Sequence, residues 1–223
     1  MPQTGLDRKN LTEKLRIASV KASSEPPSGV DASASAPSRW TPLRSTIIVV
    51  AIVVAAAATL MLMGRVAICR CGYVKVWHGI VASSENSQHI TDWYTYSHVI
   101  HGFAFYGLLW LVARRIPWHA RLVVATAIEA GWEIFENTDF VINRYRAVTI
   151  SLDYYGDSLL NSVSDIVAMV VGFVAASRLR TWMVIALTVA FELFVAWSIR
   201  DNLLLNILML VYPLESVRSW QAG

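Results

Sequence analysis

The sequence predicts an all-α, polytopic membrane bundle of about five transmembrane helices, closed by a short C-terminal interfacial or re-entrant helix. Three observations lead there. Hydrophobic residues make up 55% of the 223 and charged residues only 16%, whereas water-soluble domains carry about a quarter charged. Several apolar runs approach the ~20 residues needed to cross hydrocarbon. The segments between them collect Arg, Trp and Tyr, as membrane loops and interfaces do. The net charge of +3 is spread along the chain and forms no clustered basic face, so lipid and not nucleic acid is the expected partner.

Residues 1–45 form the first region, a cytoplasmic tail predicted to be disordered. Its stretch KASSEPPSGVDASASAPSR is rich in Ser, Ala and Pro and has no apolar period, which leaves no core to build. The earlier LTEKLRIASVK is at most a short basic amphipathic helix. The membrane domain runs over 46–223. Its first span is TIIVVAIVVAAAATLMLMG, Thr46 to Gly64, too long and too far from the N terminus for a secretory signal. Further spans are expected near Ser97–Ala113, Ala120–Asn137, Ser158–Ala176 and Thr181–Ile199. The last apolar piece, NLLLNILMLVY, is short for a crossing at ~1.5 Å per residue, with a sixth span as the alternative.

Orientation follows from Lys and Arg. The tail holds Arg8, Lys9, Lys14, Arg16, Lys21, Arg39 and Arg44. Arg114, Arg115 and Arg121 follow the second span, and Arg178 and Arg180 follow the fourth. These alternate segments place the N terminus in the cytoplasm.

The chemistry starts at AIEAGWEIFEN, Ala127 to Asn137. Glu129, Glu133 and Glu136 stand at i, i+4 and i+7, which stacks them on one helical face. The next span runs the opposite way and carries Asp157, Asn161 and Asp165 at i, i+4 and i+8, with Ser164 beside them. His98 and His101 share a face of the second span. Glu192, followed by Arg200, Asp201 and Asn202, is a fourth polar contribution. At equal depth these stripes meet in the outer half of one bundle. A charge at a helix centre costs ~2.5–3.5 kcal/mol on insertion scales, so such groups face an interior or a wet cavity.

Three chemistries make the cluster tolerable. The carboxylates can stay protonated, since desolvation disfavours their charge. They can pair with Arg144, Arg146 or Arg200. Or His98 and His101, with Glu133 and Asp157, can ligate a divalent metal ion, the one candidate cofactor. Glu133, Glu136, Asp157, Asp165 and Asn161 are the candidate catalytic groups. Packing is the competing role, most plainly for Asn161, Ser164, Gly102 and Gly172.

Cys69 and Cys71 are the only cysteines. They read as two unspecialised thiols or an exchangeable disulfide, with a soft metal site including His78 as the sharper alternative. Trp77, Trp93, Tyr94, Tyr96, Tyr154 and Tyr155 read as an interfacial aromatic belt, or more sharply as a platform for a substrate.

The stretches CRCGYVKVWHGIVASSENSQHITDWYTYSHVIHGFAFYG, EAGWEIFEN, RYRAVTISLDYYGDSLLNSVSD and IRDNLLLNILMLVYPLESVRSWQAG closely resemble a family of small bacterial multi-pass inner-membrane proteins. The resemblance runs from about Leu60 to the C terminus and implies an inner-membrane location, with no assigned activity. A more distant likeness is to VanZ-like membrane proteins, through His101, Glu133, Asp157-x-x-x-Asn161 and Gly172. That pattern has glycine soon after the asparagine, where this chain has Ser164 and Asp165, so the likeness is one of analogy.

Three functions fit these residues. One is a membrane enzyme acting on a lipid-linked or headgroup substrate at the periplasmic face, with the carboxylates as acid/base groups or metal ligands and His98 and His101 as ligands or proton shuttles. Another is a non-catalytic assembly or envelope-maintenance protein. The third is an ion- or proton-coupled transporter relaying through Glu129, Asp165 and Glu192. The near-absence of polar residues in the inner halves of the spans weighs against the transporter.

Overall fold

A computed structural model describes residues 40–222, and the tail expectations for residues 1–39 lie outside it. The described residues form eight helices and no strand. In chain order these are α1 (Pro42–Leu62), α2 (Thr95–Val112), α3 (Trp118–Glu136), α4 (Asp139–Val148), α5 (Leu159–Arg178), α6 (Thr181–Ile199), α7 (Leu203–Val211) and α8 (Glu215–Ala222).

Three helices, α1, α5 and α6, are long and apolar enough to cross a membrane. Their outer faces carry large apolar side chains such as Val54, Leu193 and Trp197, a surface that lipid stabilises and water does not. The first begins four residues before the expected Thr46. Thr41 caps it by accepting from the Arg44 N–H, and Pro42 opens the first turn, where its missing N–H costs nothing. Helices α2 and α3 have 18 and 19 residues and complete the bundle. Nine-residue α7 is only about 14 Å long at ~1.5 Å per residue, too short for a sixth span.

Helix α2 packs closely on α5 because two glycines face each other's backbones. A Cβ on Gly102 would run into the Met169 carbonyl, and one on Gly172 into the Val99 carbonyl. This is the small-residue packing of membrane helices, and it brings the histidine face of α2 against the Asp165 face of α5. Leu109, Ala125, Met169 and Phe173 fill the bundle at one end. Ala56, Ala130 and Ile166 join α1 to α3 and α5.

At the other end, the 63–94 loop is stitched to the start of α5. The N–H groups of Ser158, Leu159 and Leu160 donate to the carbonyls of Ser87, Val66 and Ala67, and that of Asn161 donates to the Ser158 hydroxyl. The donors that a helix start usually leaves orphaned are thereby satisfied. The Gln88 amide donates to the Gly156 carbonyl at 2.7 Å. Within the loop Cys69 and Cys71 form a disulfide. The side chains gathered near it are Glu85 and His89; the expected His78 instead contacts Lys75 and the Ile80 carbonyl.

Candidate functional site

Helical spacing builds the centre of the site. His98 and His101, one turn apart on α2, both reach Glu129 on α3. His98 Nδ1 lies 2.6 Å from Glu129 Oε1, and His101 Nδ1 lies 3.1 Å from both Glu129 oxygens. His98 Nδ1 is also 3.5 Å from Glu133 Oε1, one turn along α3. On its other side, His98 Nε2 faces Asp165 Oδ2 of α5 at 3.8 Å. The Thr95 hydroxyl donates to the second Asp165 oxygen at 3.2 Å. His98 is therefore the point where the polar faces of α2, α3 and α5 meet.

Glu129 and Glu133 are 0% and 1% exposed. Glu129 has both imidazoles as partners, but neither oxygen of Glu133 has a hydrogen-bond partner among the described residues. A buried carboxylate without partners costs several kcal/mol if charged, so Glu133 marks an incomplete arrangement. Glu136 comes within ligand distance of His98 and Glu133.

Asp157 belongs to a second, adjoining group at the loop end. The Asn137 amide donates to it at 2.8 Å, and the Asn137 carbonyl oxygen accepts the Asp157 N–H at 2.8 Å. The Tyr154 hydroxyl donates to its other oxygen at 3.0 Å. Burial pushes the Asp157 carboxyl up to about 6, and burial beside Asp157 holds the Tyr154 phenol well above its usual value.

A cavity of about 540 Å³ opens against both groups. His98, His101, Glu129, Glu136, Asp157 and Asp165 line its polar end. Ile128, Trp132 and Phe135 of α3, Phe140 of α4 and Leu203, Ile207, Leu210 and Val211 of α7 make an apolar wall. Phe140 and Val211 are 74% and 77% exposed, so this wall is open to the outside of the bundle. Arg144 stands on the lining with its Nε donating to the Leu210 carbonyl.

Several roles expected from the sequence change once these partners are visible. Asn161 lies off the cavity, its amide donating to the His89 carbonyl, where it ties the loop to α5. Asp157 is held by Asn137 and Tyr154 and takes no place beside His98; Glu129 occupies the position expected of it. Glu192 stands apart, its two oxygens accepting the Leu203 and Leu204 N–H groups and so capping α7 in the manner of any helix-start acceptor. No arginine pairs with the cluster among the described residues: Arg144 and Arg200 bond backbone carbonyls. Tyr154, expected in an aromatic belt, is buried, and Tyr94 lines the cavity while donating to Asp201.

Asn137 and Tyr145 join the site without having stood out in the sequence. Asn137 ends the AIEAGWEIFEN stretch, and a side-chain amide at a helix end is the signal it offers. Tyr145 lies on α4, whose amphipathic pattern, with Val141, Ile142, Tyr145 and Val148 buried, is the corresponding signal there.

Among curated proteins, a UPF0314 protein of Paracoccus denitrificans is 62% identical over 164 residues, covering 74% of this chain and 85% of its own length. A UPF0314 protein of Rhizobium meliloti is 62% identical over 162 residues, covering 73% of this chain and 82% of its own. One of Sphingopyxis alaskensis is 54% identical over 178 residues, covering 79% and 94%. No solved structure matches the chain. The family model described as "Protein of unknown function (DUF2585)" matches residues 60–223, more than half of the sequence, and the chain belongs to that family.

Proposed function

We propose that the chain is a membrane-embedded enzyme of the bacterial inner membrane, acting at the periplasmic face on a lipid-linked or headgroup substrate. In this reading α1, α2, α3, α5 and α6 are five spans, the N terminus is cytoplasmic, and α7 dips into the outer leaflet. The observation that carries it is the cavity of about 540 Å³, which joins an apolar wall open to the side with a polar end of titratable groups. A lipid needs that combination: the chain enters through the side, and the headgroup meets the ionisable cluster. Glu136, Asp157 and Asp165 are the acid/base candidates, with His98 and His101 as proton carriers. Arg144 on the lining favours an anionic headgroup.

Against a transporter stands the packed plug of Leu109, Ala125, Met169 and Phe173 beyond the cluster, which offers ions no polar path. An assembly role draws support from Asn161, Asn137 and Ser158, whose hydrogen bonds are spent on joining loop to helix. That role leaves the lateral cavity and the unpartnered Glu133 without a purpose.

The test is the extracted lipid and lipid-linked glycan profile of cells carrying the wild-type chain, Asp157→Asn or Asp165→Asn at equal protein levels. An enzyme yields a species that accumulates in both variants and falls when the wild type is restored. Identical profiles across all three strains would defeat the reading.

A further inference from the structure

The cluster between α2, α3 and α5 contains four carboxylates, Glu129, Glu133, Glu136 and Asp165, and two imidazoles, with Asp157 adjoining it, all on the cavity or beside it. No Lys or Arg forms an ion pair with any of them among the described residues. Charge balance alone does not choose between bound protons and a bound cation. Two geometric facts do.

The first is donor convergence. His98, His101 and Glu129 each offer a ligand atom within 4.8 Å of the others, and so do His98, Glu133 and Glu136. His98 Nδ1 is 2.6 Å from Glu129 Oε1 and 3.5 Å from Glu133 Oε1, and His101 Nδ1 is 3.1 Å from Glu129 Oε1. Ligands ~2.0–2.2 Å from a tetrahedral ion stand about 3.3 Å from one another, so the His101–Glu129 and His98–Glu133 pairs are already near that spacing and the His98–Glu129 pair has to open by about 0.7 Å to admit one. The second fact is Glu133 itself, 1% exposed with no hydrogen-bond partner for either oxygen among the described residues, and directed at the His98 edge of this group.

We propose that His98, His101 and Glu129 bind a divalent first-row transition-metal ion, with Glu133, which converges with Glu136 on the same His98, within reach as a further carboxylate ligand. Two imidazoles and two carboxylates suit zinc, manganese or iron(II). Asp165 is then a positioning residue. Its carboxylate lies 3.8 Å from His98 Nε2 and is itself held by the Thr95 hydroxyl, on the side from which a carboxylate orients a ligating histidine once the two close to hydrogen-bond distance. The side of the group that faces the cavity is where a headgroup oxygen or a water completes the coordination. The inference goes beyond the lipid reading and is tested without it, since metal is counted whether or not any lipid changes.

The experiment uses the full chain, purified in detergent through a tag that holds no metal. Metal content is measured by mass spectrometry of the elements, alongside thermal unfolding with and without a strong chelator. The wild type is expected to carry about one ion per chain. Chelator should lower its Tm, and re-added zinc, manganese or iron(II) should restore it. Glu133→Gln and His101→Ala should lose at least about tenfold in metal affinity, as losses at metal sites commonly do, with Tm no longer sensitive to chelator. Glu85→Gln, in the loop, should keep the wild-type content. If either cluster variant fails to fold, the chelator response of the wild type decides alone. A wild type that holds no stoichiometric metal, with a Tm indifferent to all three added ions, overturns the proposal. So does a folded Glu133→Gln with unaltered affinity.

Discussion

Two clusters of titratable residues lie at the loop end of this chain, and they are built in opposite ways. In the 63–94 loop a single carboxylate, Glu85, receives Lys75 at 2.6 Å, His89 at 3.0 Å and the Tyr73 hydroxyl at 2.8 Å. Between α2, α3 and α5, four carboxylates gather at two imidazoles, and Glu133 has no hydrogen-bond partner among the described residues. The loop cluster is complete as it stands and needs nothing further to be stable. The cluster between α2, α3 and α5 is short of positive charge and of donors while also being more deeply buried. That deficit is what separates a binding site from a packing device: a self-sufficient network rigidifies a fold, whereas a deficient one requires an ion, protons or a ligand.

The contrast breaks most completely if the helices that form the deficient cluster are pushed apart. Gly172→Leu forces a side chain into the Val99 carbonyl, and overpacking of this kind costs about 3 kcal/mol or more. Thermal unfolding in detergent should show the largest Tm loss of any variant here, while the Cys69–Cys71 loop keeps its own contacts. Next in size is Asn137→Ala, which removes the donor and the acceptor that hold Asp157. Buried bonds to a carboxylate are worth about 1.5–3 kcal/mol, and denaturant unfolding should register a loss in that range.

Acid and base should separate the two clusters by sign. Burial raises Asp157 and Asp201 from 3.8 to about 6, so the folded chain holds their protons more tightly than the unfolded one. Their contribution is fully present below about pH 4 and is lost as pH rises through 6. For Asp157 the upper limit is about 3 kcal/mol, at 1.36 kcal/mol per unit, and Asp157→Asn should flatten that part of the profile. Glu85 behaves in reverse. Hydrogen bonds from Lys75, His89 and Tyr73 lower it from 4.5 to about 2, so its contribution is present above pH 4.5 and is lost as pH falls through 2. Smallest of all should be Glu85→Gln near neutral pH, a slight and salt-sensitive change in Tm, because the pair with Lys75 is open to solvent and screened.

How much of this the sequence disclosed depends on whether a residue's partner is another periodic side chain. Glu129, Glu133, His98 and His101 were legible because i, i+3 and i+4 spacings put them on defined faces of helices whose apolar runs were plain. The expected Ser97–Ala113 and Ala120–Asn137 sit within two residues of α2 and α3. Asn161 and Glu192 lie on the same kind of stripe, yet their partners are backbone groups, the His89 carbonyl and the Leu203 and Leu204 N–H groups. Which backbone group a side chain meets depends on tertiary packing, which periodicity does not encode. Asn137, Tyr145 and Tyr154 come from a helix end, a short amphipathic helix and a loop, where no repeating pattern announces a role. Helix α7 was legible as an element, but its place against the cavity was not.

The central claim is that the lateral cavity holds a lipid whose headgroup reaches the deficient cluster. Native mass spectrometry of the full chain, released gently from detergent, tests it most directly, alongside Ile207→Trp, which fills the apolar wall without altering any titratable residue. The expected result is a retained lipid-mass adduct on the wild type that is lost from an Ile207→Trp chain of unchanged Tm. A bare wild type, or an adduct that survives filling of the wall, would contradict the account.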